Sequence, residues 1–292
     1  MKSPFFLENE TEYKEWRKTK LSLYPIKAKN LSVSFDINTL SLDNLNKFKE
    51  IIKKHNFAIY NFSSALNNFE LRNFCSRLNL TNSAHNLFSD ENDISDLTDN
   101  FIFTENSVDK KIIKSDYIPY TNKPLNWHTD GYYYPLNASI KSFVLHCVHP
   151  ASKGGGNLLL DHEIMYIFLR DHNPEYISIL MENNAMEIPK NNNNKDSITL
   201  VGPVFYIDQD WALNMRFTSR QHNIIWKKDG MIKKIKNYIY DFITNEDKYI
   251  YRLLLKKNQG YVANNILHKR EEYTDDGEKR HLKRIRFLTR AK

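Results

Sequence analysis

The chain has 292 residues, of which 41% are hydrophobic, and a formal net charge of +7, which is enough apolar material for a large core. No apolar run approaches the roughly 18 residues a membrane helix needs. Cys75 and Cys147 are the two cysteines, too few for a disulfide framework or a structural zinc site. The opening stretch MKSPFFLENETEYKEW turns acidic and polar early, so a secretory leader is not expected and a cytoplasmic setting is. Basic residues are spread along the chain with acidic ones among them, which argues against nucleic acid as the partner.

In chain order, the first hundred residues read as mixed α/β. NLNKFKEIIKKHN has apolar residues at helical spacing, FAIYNF is strand-like, and FELRNFCSRLNL reads as a second helix. KSFVLHCVHP and GNLLLD are short strands. Asp161 is placed to cap a helix HEIMYIFLRD, and Asn173-Pro174 to start another, EYISILMEN, with proline in its favoured first position. The polar run from Lys190 to Asp196 reads as a loop, and a closing lid over a reaction site is one use for it. MIKKIKNYIYDFI puts Met231, Ile235, Tyr238 and Phe242 on one helical face. KYIYRLLL, GYVANNILH and HLKRIRFLTR then read as strands. No repeat or linker divides the chain, so one domain over residues 1–292 is expected. Many short strands, few helices and no regular βαβ alternation favour a mainly β, α+β fold: a barrel or sandwich with flanking helices.

The chemistry concentrates in NWHTDGYYYP. On a strand, residues two apart point the same way, so His128 and Asp130 can aim an imidazole and a carboxylate at one point. Two ligands make a weak site, and a third must come from elsewhere. His146 and His149 would face opposite sides of a strand. His162 sits at a helix start, where an exposed capping role is the plain reading. His55, His85, His172 and His222 stand in polar or loop-like surroundings. His268 closes GYVANNILHKR, read as a strand with Val262, Asn264, Ile266 and His268 on one face. Twelve residues later Arg280 and Arg284 share a face by the same rule. Two His and one carboxylate with open positions form the ligand set of non-haem Fe(II) oxygenases. A buried arginine pair suits the distal carboxylate of a chelating 2-oxo acid, through a guanidinium fork.

WHTDGYY, GGGNLLLD, NNILHKR and RHLKR resemble, in order and spacing, the taurine dioxygenase-like (TauD/TfdA) Fe(II)- and 2-oxoglutarate-dependent dioxygenases, from Asn126 to the C-terminus. The resemblance implies a double-stranded β-helix (jelly-roll) core, with His128, Asp130 and His268 as iron ligands. Arg280 would hold the distal carboxylate of 2-oxoglutarate, with Arg284 as its neighbour. Asn157 stands where family members often have Thr or Ser, and still offers a hydrogen bond. Gly154 to Gly156 have a plainer reading as a turn. The implied reaction uses O2, releases succinate and CO2, and hydroxylates an unactivated carbon. Asp130 argues against halogenation, which needs that carboxylate replaced by a small residue.

The substrate is less legible. Arg216 and Arg220 can pair with an anionic group, and Tyr132 lies just beyond the ligands. A small polar or anionic molecule, an amino acid or a natural-product intermediate, is expected. The rival readings are an oxidase of a polyanion such as nucleic acid, and a non-catalytic binding protein on the same fold.

Overall fold

A computed structural model describes residues 3–86, 88–98, 117–190 and 198–292. Of the candidate lid, Lys190 to Asp196, all but Lys190 lies outside these residues. Strand pairing builds two main sheets. The larger has six strands: β1 (Ser32–Phe35), β2 (Phe57–Phe62), β14 (Gln259–Ala263), β5 (Ser142–His149), β17 (His281–Phe287) and β3 (Ser95–Leu97), in that spatial order. Only β1 and β2 run parallel; every other neighbouring pair is antiparallel. The smaller sheet is antiparallel, in the order β13 (Tyr251–Leu253), β7 (Asn157–Leu160), β15 (Leu267–Arg270), β4 (Leu125–His128). Three minor ribbons complete the strands. They are β10 (Phe205–Ile207) with β11 (Leu213–Met215), β12 (Ile225–Trp226) with β8 (Met186–Ile188) and β9 (Leu200–Gly202), and β16 (Tyr273–Thr274) with β6 (Lys153–Gly154).

Alternation along the strands divides the core. On the smaller sheet Leu158, Leu160, Leu267 and Trp127 face outward onto helices α4 (His162–His172), α5 (Pro174–Leu180) and α6 (Gly230–Asn245), where they share a core with Ile164, Ile177, Ile235 and Ile239. Helix α1 (Glu10–Leu21) closes this side through Tyr13 and the buried Lys20. On the larger sheet, α2 (Leu42–His55) and α3 (Asn68–Arg77) pack through an aromatic cluster of Phe35, Phe48, Phe62 and Phe74. The inner faces meet between the sheets: the Phe143 ring of β5 lies 4.7 Å from the His268 ring of β15. The structure is thus mixed α/β, with helices on the outer faces of two sheets.

Local chemistry explains the helix ends. Asn67 and Glu70 form a reciprocal capping box ahead of α3. Asp161, Asn173 and Asp229 each accept a backbone N–H at the starts of α4, α5 and α6. Helix α2 stops at Asn56 with φ +59, a left-handed terminus of the usual kind.

Several expectations shift. GYVANNILH is not one strand: it breaks at Asn264-Asn265, where Asn265 has φ +47, and the chain crosses from the larger sheet (β14) to the smaller (β15). KYIYRLLL is a strand only over Tyr251–Leu253. On α6 the buried stripe is Ile232, Ile235, Ile239, Phe242 and Ile243, with Met231 and Tyr238 at its margin. His162 is fully buried, because its Nε2 bonds the Leu213 carbonyl at 2.9 Å inside the helical core. His55 is buried too. Among the described residues no helix is long and apolar enough to cross a membrane.

Candidate metal centre

The two histidines meet by register. β4 and β15 are antiparallel neighbours with His128 directly opposite His268, so the imidazoles share the inner face, ring centroids 4.3 Å apart. Asp130 is not on the strand; β4 ends at His128 and the carboxylate sits in the turn that follows. Its same-side placement is therefore not strand alternation. Asn265 makes it: its Oδ1 accepts from the Asp130 N–H at 2.7 Å, and its Nδ2 donates to the carbonyls of Asp130 (2.9 Å) and Ile140 (2.7 Å). Gly131 then turns the chain at φ +66, where a Cβ would lie 2.5 Å from Ile140 Cγ1.

Ring orientation is fixed in the same way on both strands. His128 Nδ1 bonds the Asn126 carbonyl at 2.8 Å and His268 Nδ1 the Ile266 carbonyl at 2.9 Å. With Nδ1 as the donor, a neutral ring presents the Nε2 lone pair inward. These atoms face Asp130 Oδ1 at 3.6 Å and 3.9 Å, and the donor atoms of all three residues lie within 4.8 Å of one another. Asp130 Oδ2 is buried without a hydrogen-bond partner among the described residues. Converging acceptors with an orphaned carboxylate oxygen are unfavourable unless a cation joins them, and the donor set suits non-haem Fe(II).

The charges agree with this. Burial would raise the Asp130 carboxyl, but the Arg284 guanidinium, with His128, His268 and Arg286, holds it well below the usual carboxylate range. Burial, then the neighbouring His128, pushes His268 down to about 3, so its imidazole is neutral at pH 7.

Arg284 lies beside the cluster, with Nη1 3.5 Å from Asp130 Oδ1. Arg280 precedes β17, whose register shifts between His281 and Leu282. It is buried against the Tyr273 ring, 4.8 Å away, and its backbone N–H donates to Asp275 at 3.0 Å. Among the described residues, its Nη1 and the Nδ2 of buried Asn157 have no partner. Gly155 lies against Arg280, where a Cβ would come 3.4 Å from Nε. At Gly154 one would come 2.4 Å from the Glu272 carbonyl. The glycine run is thus a close backbone approach to the β15–β16 segment as well as a turn.

The remaining predicted residues separate. Tyr132 lies with its ring 6.5 Å from that of His128, and its hydroxyl accepts from exposed Arg220 at 2.9 Å, which makes a pair at the rim. Arg216 is not brought into the site. Its guanidinium donates to the carbonyls of Pro203, Tyr132, Met186 and Gly202 and so ties loops together.

Three residues escape the sequence reading. Asn265 is signalled only by the Asn-Asn pair in ANNILH. Tyr261, buried on β14, has its phenol pushed up by burial and by Asp130, with Arg284 and Arg280 opposing, so it sits among the site's charged groups. Arg286 continues the period-two face of Arg284, and its terminal nitrogens donate to the hydroxyls of Tyr133 (3.1 Å) and Tyr134 (3.3 Å).

Comparison with known proteins gives a consistent picture. The model of the taurine catabolism dioxygenase TauD, TfdA family matches residues 19–286. A uridine-5'-phosphate dioxygenase of Amycolatopsis sp is 26% identical over 167 residues, which span 55% of this chain and 60% of that relative. Among solved structures, PvcB of Pseudomonas aeruginosa aligns with a TM-score of 0.58 at 13% identity, covering 89% of this chain and 87% of that one. The non-haem iron oxygenase OrfP, in complex with Fe, succinate and (3R,4R)-dihydroxy-L-Arg, aligns with a TM-score of 0.59 at 14% identity, covering 86% and 82%.

Proposed function

Because the chain belongs to the taurine catabolism dioxygenase TauD, TfdA family, we propose that it is an Fe(II)- and 2-oxoglutarate-dependent dioxygenase of the cytoplasm. In this reading the two main sheets form a double-stranded β-helix, residues 1–292 are one domain, and the substrate is a small polar or anionic molecule. The observation that carries the reading is the convergence of His128 Nε2, His268 Nε2 and the Asp130 carboxylate, one oxygen of which has no hydrogen-bond partner among the described residues.

Those three side chains would hold the iron. With 2-oxoglutarate and O2, bound iron supplies the oxidising chemistry: one oxygen atom goes to a substrate C–H, the other into succinate, and CO2 leaves. The chain's own residues position and exclude. The Nδ1–carbonyl bonds keep both Nε2 atoms aimed inward, and Asn265 fixes the Asp130 backbone. Arg284 lies 3.5 Å from Oδ1 of Asp130 and would hold the carboxylate ionised beside the two imidazoles. Arg280 and Asn157 have the unpaired donors to take the distal carboxylate of 2-oxoglutarate. Phe143, Leu145 and Leu159, apolar and buried, line the space between the sheets and keep water from it. Tyr132 and Arg220 stand at the rim, where substrate enters.

The name of the Amycolatopsis relative makes uridine 5'-phosphate the first compound to test, and the OrfP complex makes amino acids the second. Succinate release is measured with Fe(II), 2-oxoglutarate, O2 and a panel of nucleotides, amino acids and small acids. The expected result is iron-dependent succinate, raised above the substrate-free rate by at least one compound and absent from His268→Ala. Equal release by His268→Ala contradicts the assignment.

A further inference from the structure

Arg270 is buried two residues past His268 on β15, opposite Asn157 of β7 in the strand register. Its terminal nitrogens donate to backbone carbonyls: Ile118 (3.4 Å), Pro119 (3.1 Å), Thr121 (2.7 Å) and Lys123. The Asn122 carbonyl, from the same stretch, accepts from the Tyr273 N–H at 3.2 Å. Residues 118–123 therefore form a strap just ahead of β4, with five carbonyls turned onto Arg270 and Tyr273. Tyr120 anchors the strap's apolar side on Phe88, ring centroids 4.9 Å apart. Among the described residues Arg270 makes no ion pair with a carboxylate, so carbonyl dipoles alone compensate its charge.

The Tyr273 ring carries a second cation. The guanidinium carbon of Arg270 lies 5.2 Å from its centroid and that of Arg280 4.8 Å. Burial, then Arg280, pushes Arg270 down to about 10, so both arginines stay charged at pH 7. Asp275 acts on Arg280 less than burial and Tyr273 do, and its carboxylate takes the Arg280 backbone N–H. Among the described residues, Arg270 Nε, Arg280 Nη1 and Asn157 Nδ2 are buried donors without a partner. Two like charges across one ring repel, and more strongly with the strap seated and water excluded than with it open. Given the 2-oxoglutarate seat proposed above at Arg280 and Asn157, on which this inference rests, the distal carboxylate brings a negative charge to this cluster. It relieves the repulsion most where the repulsion is largest, in the seated state. We propose that Arg270 links the strap 118–123 to co-substrate binding: 2-oxoglutarate seats the strap, and by reciprocity the seated strap retains 2-oxoglutarate. Arg270 is thus a positioning residue, acting through the strap and Arg280.

Amide hydrogen exchange over residues 117–123, read by mass spectrometry on the Fe(II)-loaded protein without O2, tests the link. Saturating 2-oxoglutarate should slow exchange there by about fivefold or more, the low end for coupled sites. Arg280→Gln removes the repulsion without a ligand. Its strap, free of 2-oxoglutarate, should exchange as slowly as that of the loaded wild type, which a merely structural role for Arg270 does not predict. Arg270→Gln should exchange fast with or without 2-oxoglutarate, and by calorimetry should bind it about fivefold or more weakly. Arg270→Lys should recover part of the coupling, since it keeps the charge but not the fork. If Arg270→Gln does not fold, the wild-type and Arg280→Gln measurements decide alone. The link is overturned by wild-type exchange that stays unchanged or quickens while calorimetry shows 2-oxoglutarate bound. Arg280→Gln exchange equal to that of the unliganded wild type overturns it too. A wild type that binds neither iron nor 2-oxoglutarate overturns the dioxygenase reading, and the link with it.

Discussion

Asn265 uses both halves of its side-chain amide on the turn that carries Asp130, although it touches neither the proposed metal nor a substrate. Removing a group that orients a ligand typically lowers metal affinity about 10–100-fold. Asn265→Ala should therefore weaken Fe(II) binding by that order in a metal titration, while His128 and His268 keep their own carbonyl bonds. Arg280 is the second residue whose role is separable. It is buried, and among the described residues its Nη1 is unpaired, as is the side-chain amide nitrogen of Asn157. Losing one partner of a buried, hydrogen-bonded charge pair costs about 2–5 kcal/mol, so Arg280→Ala should raise the Kd for 2-oxoglutarate by the corresponding factor. Arg280→Lys should restore only part of it. An unchanged 2-oxoglutarate affinity in Arg280→Ala would remove Arg280 from the site. Arg216 makes the opposite point. Its place in the sequence suggests an anion partner, yet four backbone carbonyls occupy it, and no spacing rule reveals carbonyls that arrive from distant loops.

At the scale of elements, the helices are legible because their ends carry local chemistry. Asp161, Asn173-Pro174 and the apolar spacing of α6 can all be read without tertiary knowledge. The strands around the site are legible in composition but not in course. ANNILH contains a crossing between sheets, marked only by two asparagines, and the meeting of His268 with His128 depends on a strand register that sequence does not state. Strand alternation is the reason the sequence offers for bringing His128 and Asp130 to one side, but a turn and Asn265 supply the geometry. Capping and site chemistry should separate experimentally. Asn67→Ala removes the capping box of α3 and should lower stability by about 1 kcal/mol. It should leave iron affinity unchanged, because α3 packs on the outer face of the larger sheet. Chemical denaturation and a metal titration on the same variant check both halves; lost iron binding would mean that the outer helices and the site are coupled.

The molecule as a whole carries its net charge of +7 partly inside. Lys20, Arg170, Arg216, Arg270, Arg280 and Arg286 are all buried, so composition overstates how basic the surface is. Burial also creates a pH dependence. It holds the imidazoles of His55 and His146 down to about 4, against an ordinary value of 6.5. Between these values the unfolded chain binds protons that the folded one does not, so stability falls as pH drops. Each tenfold loss of proton affinity on folding is worth roughly 1.4 kcal/mol, so the two groups together should cost a few kcal/mol of stability across that window. A Tm that falls as the pH is lowered from 6.5 to 4 checks this, and His146→Phe should flatten part of the slope. The central claim is that His128, Asp130 and His268 hold one Fe(II), and iron stoichiometry without O2 in the presence of 2-oxoglutarate tests it most directly. The account predicts one Fe(II) per chain in the wild type and almost none in Asp130→Ala or His268→Ala, both still unfolding cooperatively. Variants that retain a full equivalent of tightly bound iron would contradict it.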